Sequence, residues 1–150
     1  MPTITPFLWF DTQAEEAMNF YASIFPRAKV LSVNKMQGKT FSVEFELEGQ
    51  KFMALNAGPK YQFTEAISLF VGCETQEEID NYWSKLVAGG EPSRCGWLKD
   101  KYGLSWQIVP NAMSKLLGSG DPARTQRVME SLLKMEKLEL PELQRAYDAQ

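Results

Sequence analysis

The strongest constraint on this chain is that it carries one pattern twice. Ile4 to Phe10 is an apolar run that favours a strand. It is followed by Thr12-x-x-Glu15, the spacing of a capping box, in which a hydroxyl and a carboxylate satisfy unpaired donors at a helix start. The predicted helix places Ala14, Ala17, Met18, Tyr21, Ile24 and Phe25 on one face, and Pro26 ends it. From Thr12 to Thr75 is 63 positions, and there the pattern returns. Ala66 to Cys73 is a second strand-like run, and Thr75-x-x-Glu78 is a second capping box. Ile79, Tyr82, Trp83, Leu86 and Val87 form the next apolar helix face, closed by Gly89-Gly90. Thr12-Gln13 matches Thr75-Gln76, and Asn19-Phe20-Tyr21 matches Asn81-Tyr82-Trp83 with one residue of slippage. Two capping boxes in equivalent places predict duplication of a strand–helix unit.

Each helix is followed by β-favouring sequence. Lys29 to Lys35 and Thr40 to Glu48 read as strands, with Phe41, Val43, Phe45 and Leu47 alternating against Ser42, Glu44, Glu46 and Glu48. Glu48-Gly49-Gln50 turns the chain into a strand over Lys51 to Ala57, ended by Gly58-Pro59. In the second half, Glu91 to Cys95 is a compressed strand. Trp97 to Lys99 and Leu104 to Val109 form a hairpin around Asp100-Lys101-Tyr102-Gly103. Each half is therefore predicted as βαβββ. After Pro110 the pattern becomes helical. Asn111 is the expected cap of a short helix with Met113, Leu116 and Leu117, and Asp121-Pro122 caps a longer one carrying Val128, Met129, Leu132, Leu133 and Met135. Leu140-Pro141 is expected to break that helix before a polar last turn. This tail must bury its apolar stripe on the domain or on a partner chain.

Composition narrows the chemistry. At 150 residues and 17.1 kDa the chain makes one ordinary domain. It contains no histidine, so Ser-His-Asp and Cys-His triads, HExxH zinc sites and the two-His-one-carboxylate iron site are excluded. Sixteen basic and nineteen acidic residues give a net charge of −3, with no basic cluster for nucleic acid. Cys73 and Cys95 form no CxxC motif and point to a reducing compartment. No apolar run is long enough to span a membrane, and MPTITPFLWFD lacks a positive n-region, so a soluble cytoplasmic protein is expected.

The segments FDTQAEEAMNFYASIFP, GQKFMALNAGP, ISLFVGCETQEEIDNYW and GWLKDKYGLSWQIVP, in that order, resemble the PhnB-like branch of the vicinal oxygen chelate superfamily over residues 4 to 110. That superfamily includes glyoxalase I, extradiol dioxygenases and the fosfomycin- and bleomycin-resistance proteins. Members of this branch are often labelled 3-demethylubiquinone-9 3-methyltransferase domains. The resemblance implies an α+β fold of two βαβββ modules, spanning 1–60 and 64–110, in a U-shaped, partly closed mixed sheet with helices outside. Residues 111–150 are a helical extension. In metal-using relatives, His, Glu or Gln side chains project into the cleft from the first and last strands of each module. The matching positions here are Gln107, Ser68, a residue near Pro6, and Phe52 or Met53. One amide and one hydroxyl do not make a divalent-ion site, so neither a metal nor any other cofactor is expected.

Candidate binding residues each have a plain structural alternative. Gln107 and Ser68 either hydrogen-bond a ligand or are polar residues of a half-wet strand. Asn56 either orients a ligand carbonyl or caps a turn. Trp9, Phe10, Phe70, Trp97 and Trp106 either line an apolar pocket or fill the sheet core. Alternation favours Phe70, on the face of Ser68, for the pocket and Trp106 for the core. Cys95 has no imidazole to activate it. Glu44, Glu46 and Glu48 read as a solvated strand face. The expected function is metal-free binding of a small aromatic or apolar molecule by a homodimer through Gln107, Ser68, Phe70, Asn56, Trp97 and Phe10. The alternative is an enzyme of the same fold acting on a quinone-like or aromatic substrate. A S-adenosylmethionine domain is not expected, because its doubly wound sheet and glycine-rich first turn are both missing from the pattern.

Overall fold

The computed structural model describes residues 1–149; Gln150, the last residue of the predicted tail, lies outside them. The chain forms two compact units, Met1–Phe63 and a second beginning at Thr64. The first contains β1 (Phe7–Phe10), α1 (Ala14–Ile24), β2 (Ala28–Met36), β3 (Lys39–Leu47) and β4 (Gln50–Asn56). Its sheet order is β1-β4-β3-β2, with β1 parallel to β4 and the other pairs antiparallel. The alternation along β3 has its structural counterpart: Val43, Phe45 and Leu47 are buried, whereas Glu44 and Glu46 are only partly covered. Helix α1 buries Ala14, Ala17, Met18, Tyr21 and Ile24. The Tyr21 and Phe45 rings lie 6.4 Å apart, and Phe45 stacks on its register partner Phe52 at 5.4 Å. Glu48 and Gly49 both take positive φ, the primed turn that matches strand twist and joins β3 to β4.

The second unit repeats this plan with β5 (Ser68–Cys73), α2 (Gln76–Val87), β6 (Glu91–Pro92), β7 (Trp97–Lys99) and β8 (Ser105–Pro110). Its order, β5-β8-β7-β6, is the same, again with the first and last strands parallel. Two α+β units with one topology match the duplication read from the sequence. Each sheet is open and four-stranded, not closed into a barrel. Helix α2 buries Ile79, Trp83 and Leu86 and packs on β7 and β8, where Leu98, Trp106 and Ile108 are buried. The compressed strand is shorter than predicted, only Glu91–Pro92, because Cys95 and Gly96 both take positive φ and turn the chain out of the ladder. The Asp100 hairpin forms. The buried Asp100 carboxylate accepts the backbone N–H groups of Tyr102 and Leu104 at 2.9 and 3.1 Å and the Trp106 indole N–H at 2.9 Å.

The two helix starts diverge. Thr75 caps α2 by accepting the Glu78 N–H at 3.2 Å. The first capping box does not form. The α1 N-cap is Gln13, without a side-chain bond, and the Ala14 N–H donates to Asn56 Oδ1 at 2.8 Å. Asn56 pairs with Phe10 across the parallel strands, so its amide reaches the helix start directly, and Glu15 accepts from the Thr40 hydroxyl instead.

The extension folds as α3 (Met113–Leu117), α4 (Pro122–Leu132) and α5 (Leu140–Asp148). Asp121 caps α4 as expected, accepting from the Ala123 and Arg124 N–H groups. Asn111 does not cap α3; its amide donates to Glu74. Leu140-Pro141 opens α5 rather than closing a helix, because proline suits a first turn, where its missing N–H costs nothing. Val109, Met113, Leu116, Val128, Leu138 and Leu143 share one apolar cluster. Between α4 and α5 a strap crosses the second unit. The Cys95 and Gly96 N–H groups donate to the Met135 and Glu136 carbonyls at 2.9 and 2.8 Å. The Gln76 amide bonds the Leu138 carbonyl and the Leu140 N–H at 2.9 and 2.6 Å. Lys137 pairs with Asp80 at 2.6 Å, which holds that carboxyl below its usual range, with Gln76 contributing. This pairing stabilises the folded chain above the ordinary carboxylate pKa and fades as pH falls through the lowered one.

Two substitutions test these anchors by chemical denaturation. Asn56→Ala removes the acceptor at the start of α1 and should cost about 1–2 kcal/mol. Asp100→Ala strands three donors in a buried hairpin and should cost about 3 kcal/mol. An Asp100→Ala protein as stable as the parent would show that the carboxylate does not organise the turn.

Candidate functional site

In the second unit, period-two alternation gives the β5–β8 surface two faces. Leu98, Trp106 and Ile108 take the side under α2. Ser68 and Phe70 on β5, Trp97 on β7, and Ser105, Gln107 and Val109 on β8 share the other. The register fixes their neighbours: Phe70 lies opposite Gln107, Ser68 opposite Ser105, and Trp97 opposite Gln107 from the far side. Gln107 Nε2 donates to Ser68 Oγ at 3.0 Å, and Gln107 Oε1 accepts no hydrogen bond among the described residues. The Ser105 hydroxyl, on a side chain that is 1% exposed, has no partner among the described residues.

A cavity of about 550 Å³ opens on this face. Phe70, Trp97, Gln107, Val109 and Cys95 line its sheet side. Met113, Ser114, Leu132 and Leu138 of the extension line the other, with Pro110 and Asn111 at the junction. Phe70 is 61% exposed, an unusual position for a large ring. No Asp, Glu, Lys or Arg is among the lining residues.

Of the six residues singled out from the sequence, Gln107, Phe70 and Trp97 line this cavity, and Ser68 touches it through its bond to Gln107. Asn56 and Phe10 lie in the first unit. Asn56 is committed to the α1 start and donates to the Thr40 carbonyl at 3.1 Å. Phe10 is 4% exposed, sits on the helix side of its sheet and meets Phe63 edge to face at 5.3 Å. The ring that β1 turns to the opposite face is Trp9, which contacts Tyr61 at 4.8 Å and donates its indole N–H to the Gly58 carbonyl. The lining residues of the extension carried no sequence signal as a site, because an apolar helical stripe reads equally as core.

The donor set does not fit a divalent metal. On the non-helix face of the first sheet, β1 and β4 present Phe7, Trp9, Met53 and Leu55, which offer no oxygen donor. In the second unit Gln107 and Ser68 bond to each other. No group of three or more His, Cys, Asp or Glu residues could hold a metal ion among the described residues. Neither free thiol is set up as a nucleophile. Burial, reinforced by Glu78, pushes the Cys73 thiol up to about 11, and Cys95 has no imidazole beside it.

Comparison with known proteins accounts for this plan. Residues 2–109 match the family model described as 3-demethylubiquinone-9 3-methyltransferase. A PhnB protein from Bacillus cereus is 38% identical, with a TM-score of 0.69, over 73% of this chain and 99% of its own. Protein PA1353 from Pseudomonas aeruginosa is 16% identical with a TM-score of 0.61, over 73% of this chain and 98% of its own. The fosfomycin resistance protein FosX from Listeria monocytogenes, solved with Mn(II) and sulfate, is 14% identical with a TM-score of 0.58, over 80% of this chain and 98% of its own. The last two likenesses show the fold alone. No functionally curated protein matches the chain. By its family match and its identity to the Bacillus protein, this chain belongs to the PhnB-like, 3-demethylubiquinone-9 3-methyltransferase family of the vicinal oxygen chelate superfamily.

Proposed function

We propose that the second unit binds a neutral, flat, largely apolar molecule in the cavity between the β5–β8–β7 face and the extension, without a metal. The observation that carries this reading is the lining itself: two exposed or half-buried rings, the Gln107 amide with a free acceptor, a second amide at Asn111 that donates to Glu74, and no charged side chain. Phe70 and Trp97 offer ring faces for stacking. Gln107 Oε1 offers an acceptor to a hydroxyl or amine on the ligand, so an aromatic alcohol or amine is the best match. An anionic ligand would leave water without a compensating cation in such a site.

The methyltransferase activity in the family description is not part of this reading. Each sheet has four strands with a single parallel pair, unlike the doubly wound sheet with a glycine-rich first turn that cradles a dinucleotide-like cofactor. Self-association as a homodimer is proposed as well. The β2 and β3 hairpin exposes Val30, Leu31, Met36 and Phe41, apolar surface that a second chain would cover. Native mass spectrometry should then give twice the chain mass at micromolar concentration.

The binding test uses the neutral dye N-phenyl-1-naphthylamine. Its fluorescence should rise on addition of the protein, and the anionic 8-anilinonaphthalene-1-sulfonate should bind at least about tenfold more weakly. Phe70→Ala should weaken the neutral dye by about tenfold, the worth of one aromatic contact. Affinity should stay flat from about pH 5 to pH 7, because no Asp, Glu, His, Lys or Arg lines the cavity. Stronger binding of the anionic dye would refute a neutral pocket.

A further inference from the structure

We propose that the C-terminal extension is the size-selecting wall of this cavity, and that Leu132 sets the limit. The inference rests on the pocket reading above and adds which residues choose the ligand. The family match ends at residue 109, and the Bacillus PhnB protein aligns over 99% of its own length using 73% of this chain. The sheet side of the cavity therefore belongs to the shared part of the fold. The facing wall of Met113, Ser114, Leu132 and Leu138 lies beyond the family match.

That wall is held by packing and by main-chain bonds. Leu138 and Met113 are buried in the extension's own cluster with Val128 and Leu143, so neither can retreat without unpacking it. The strap that carries Leu138 is fixed by the Cys95 and Gly96 N–H groups and by both ends of the Gln76 amide. Gly96 makes the close approach possible. A Cβ there would come within 2.9 Å of the Ile108 carbonyl and 3.1 Å of Leu138, and its φ is +86°. Leu132 differs from its neighbours in the wall. It stands at the last turn of α4, just before the strap, and is only partly buried. It packs against the edge of the cluster, so its volume can be changed with less damage than that of the buried Met113 or Leu138. A fixed wall selects by exclusion: a ligand that needs more room must displace packed atoms, which costs more than an extra methylene gains.

The test measures two neutral probes, 1-naphthol and the larger N-phenyl-1-naphthylamine, against the full-length protein, Leu132→Ala and Leu132→Phe. Circular dichroism confirms that each variant is folded. Leu132→Phe should weaken the larger probe by about tenfold or more while changing 1-naphthol by less than about threefold. Leu132→Ala should shift the ratio of the two affinities toward the larger probe by a similar factor. If Leu132→Phe does not fold, the Leu132→Ala ratio decides alone. An unchanged ratio in the folded variants, with the parent protein binding both probes, overturns the selecting wall and leaves the pocket reading intact. Failure of the parent to bind either probe overturns both.

Discussion

The parallel pairing of β5 with β8 is the constraint from which the site follows. Parallel neighbours cannot be joined by a tight turn, so α2, β6 and β7 must lie between them in sequence, and the helix covers one face of the sheet. The register then leaves no freedom on the other face. With Ser68 opposite Ser105, Phe70 must meet Gln107, and a slip of one residue would send Gln107 under α2 and bring Trp106 out. The Asp100 carboxylate guards that register from the adjoining hairpin. It ties the turn's N–H groups and the Trp106 ring to one buried anion, and the indole cannot leave the core without breaking the bond.

Much of this was legible in the amino-acid order because it is local. Alternation from Val43 to Leu47 and the helical spacing of Ile79, Trp83 and Leu86 report the buried faces directly, whereas Phe41, at the start of the same alternation, stays exposed; the repeat of strand and helix reports the duplicated topology. What escaped was decided by atoms far apart in sequence. Thr12-x-x-Glu15 satisfies the capping pattern, yet Asn56, 42 positions from Ala14, takes the helix's first donor. Phe10 and Trp9 are both aromatic neighbours on one strand, and only the strand's parity, fixed by pairing with β4, decides which ring enters the core. Leu140-Pro141 reads equally as the end or the beginning of a helix. The choice went to the beginning once Gln76 offered its carbonyl to the Leu140 N–H.

The two units also show how a duplicated fold diverges without losing its plan. The residue pairing with the end of the first strand is Asn56 in one unit and Pro110 in the other. Asn56 spends its amide oxygen on its own helix and its amide nitrogen on the Thr40 carbonyl of β3, and Thr75 takes over capping where proline cannot. After Pro110 the chain continues into the extension, whose apolar cluster begins at Val109.

The attachment of the strap has an evolutionary consequence. Its contacts with Cys95 and Gly96 run from backbone N–H to backbone carbonyl, groups that every residue but proline supplies alike. The more exposed side chains, such as Leu132 at the end of α4 and Leu133 beside it, are thereby released from the main task of holding the extension in place, which Leu138 shares through its burial and Lys137 through Asp80. A lineage can exchange them one at a time, sampling new cavity shapes on an unchanged scaffold, provided the glycine at 96 is kept.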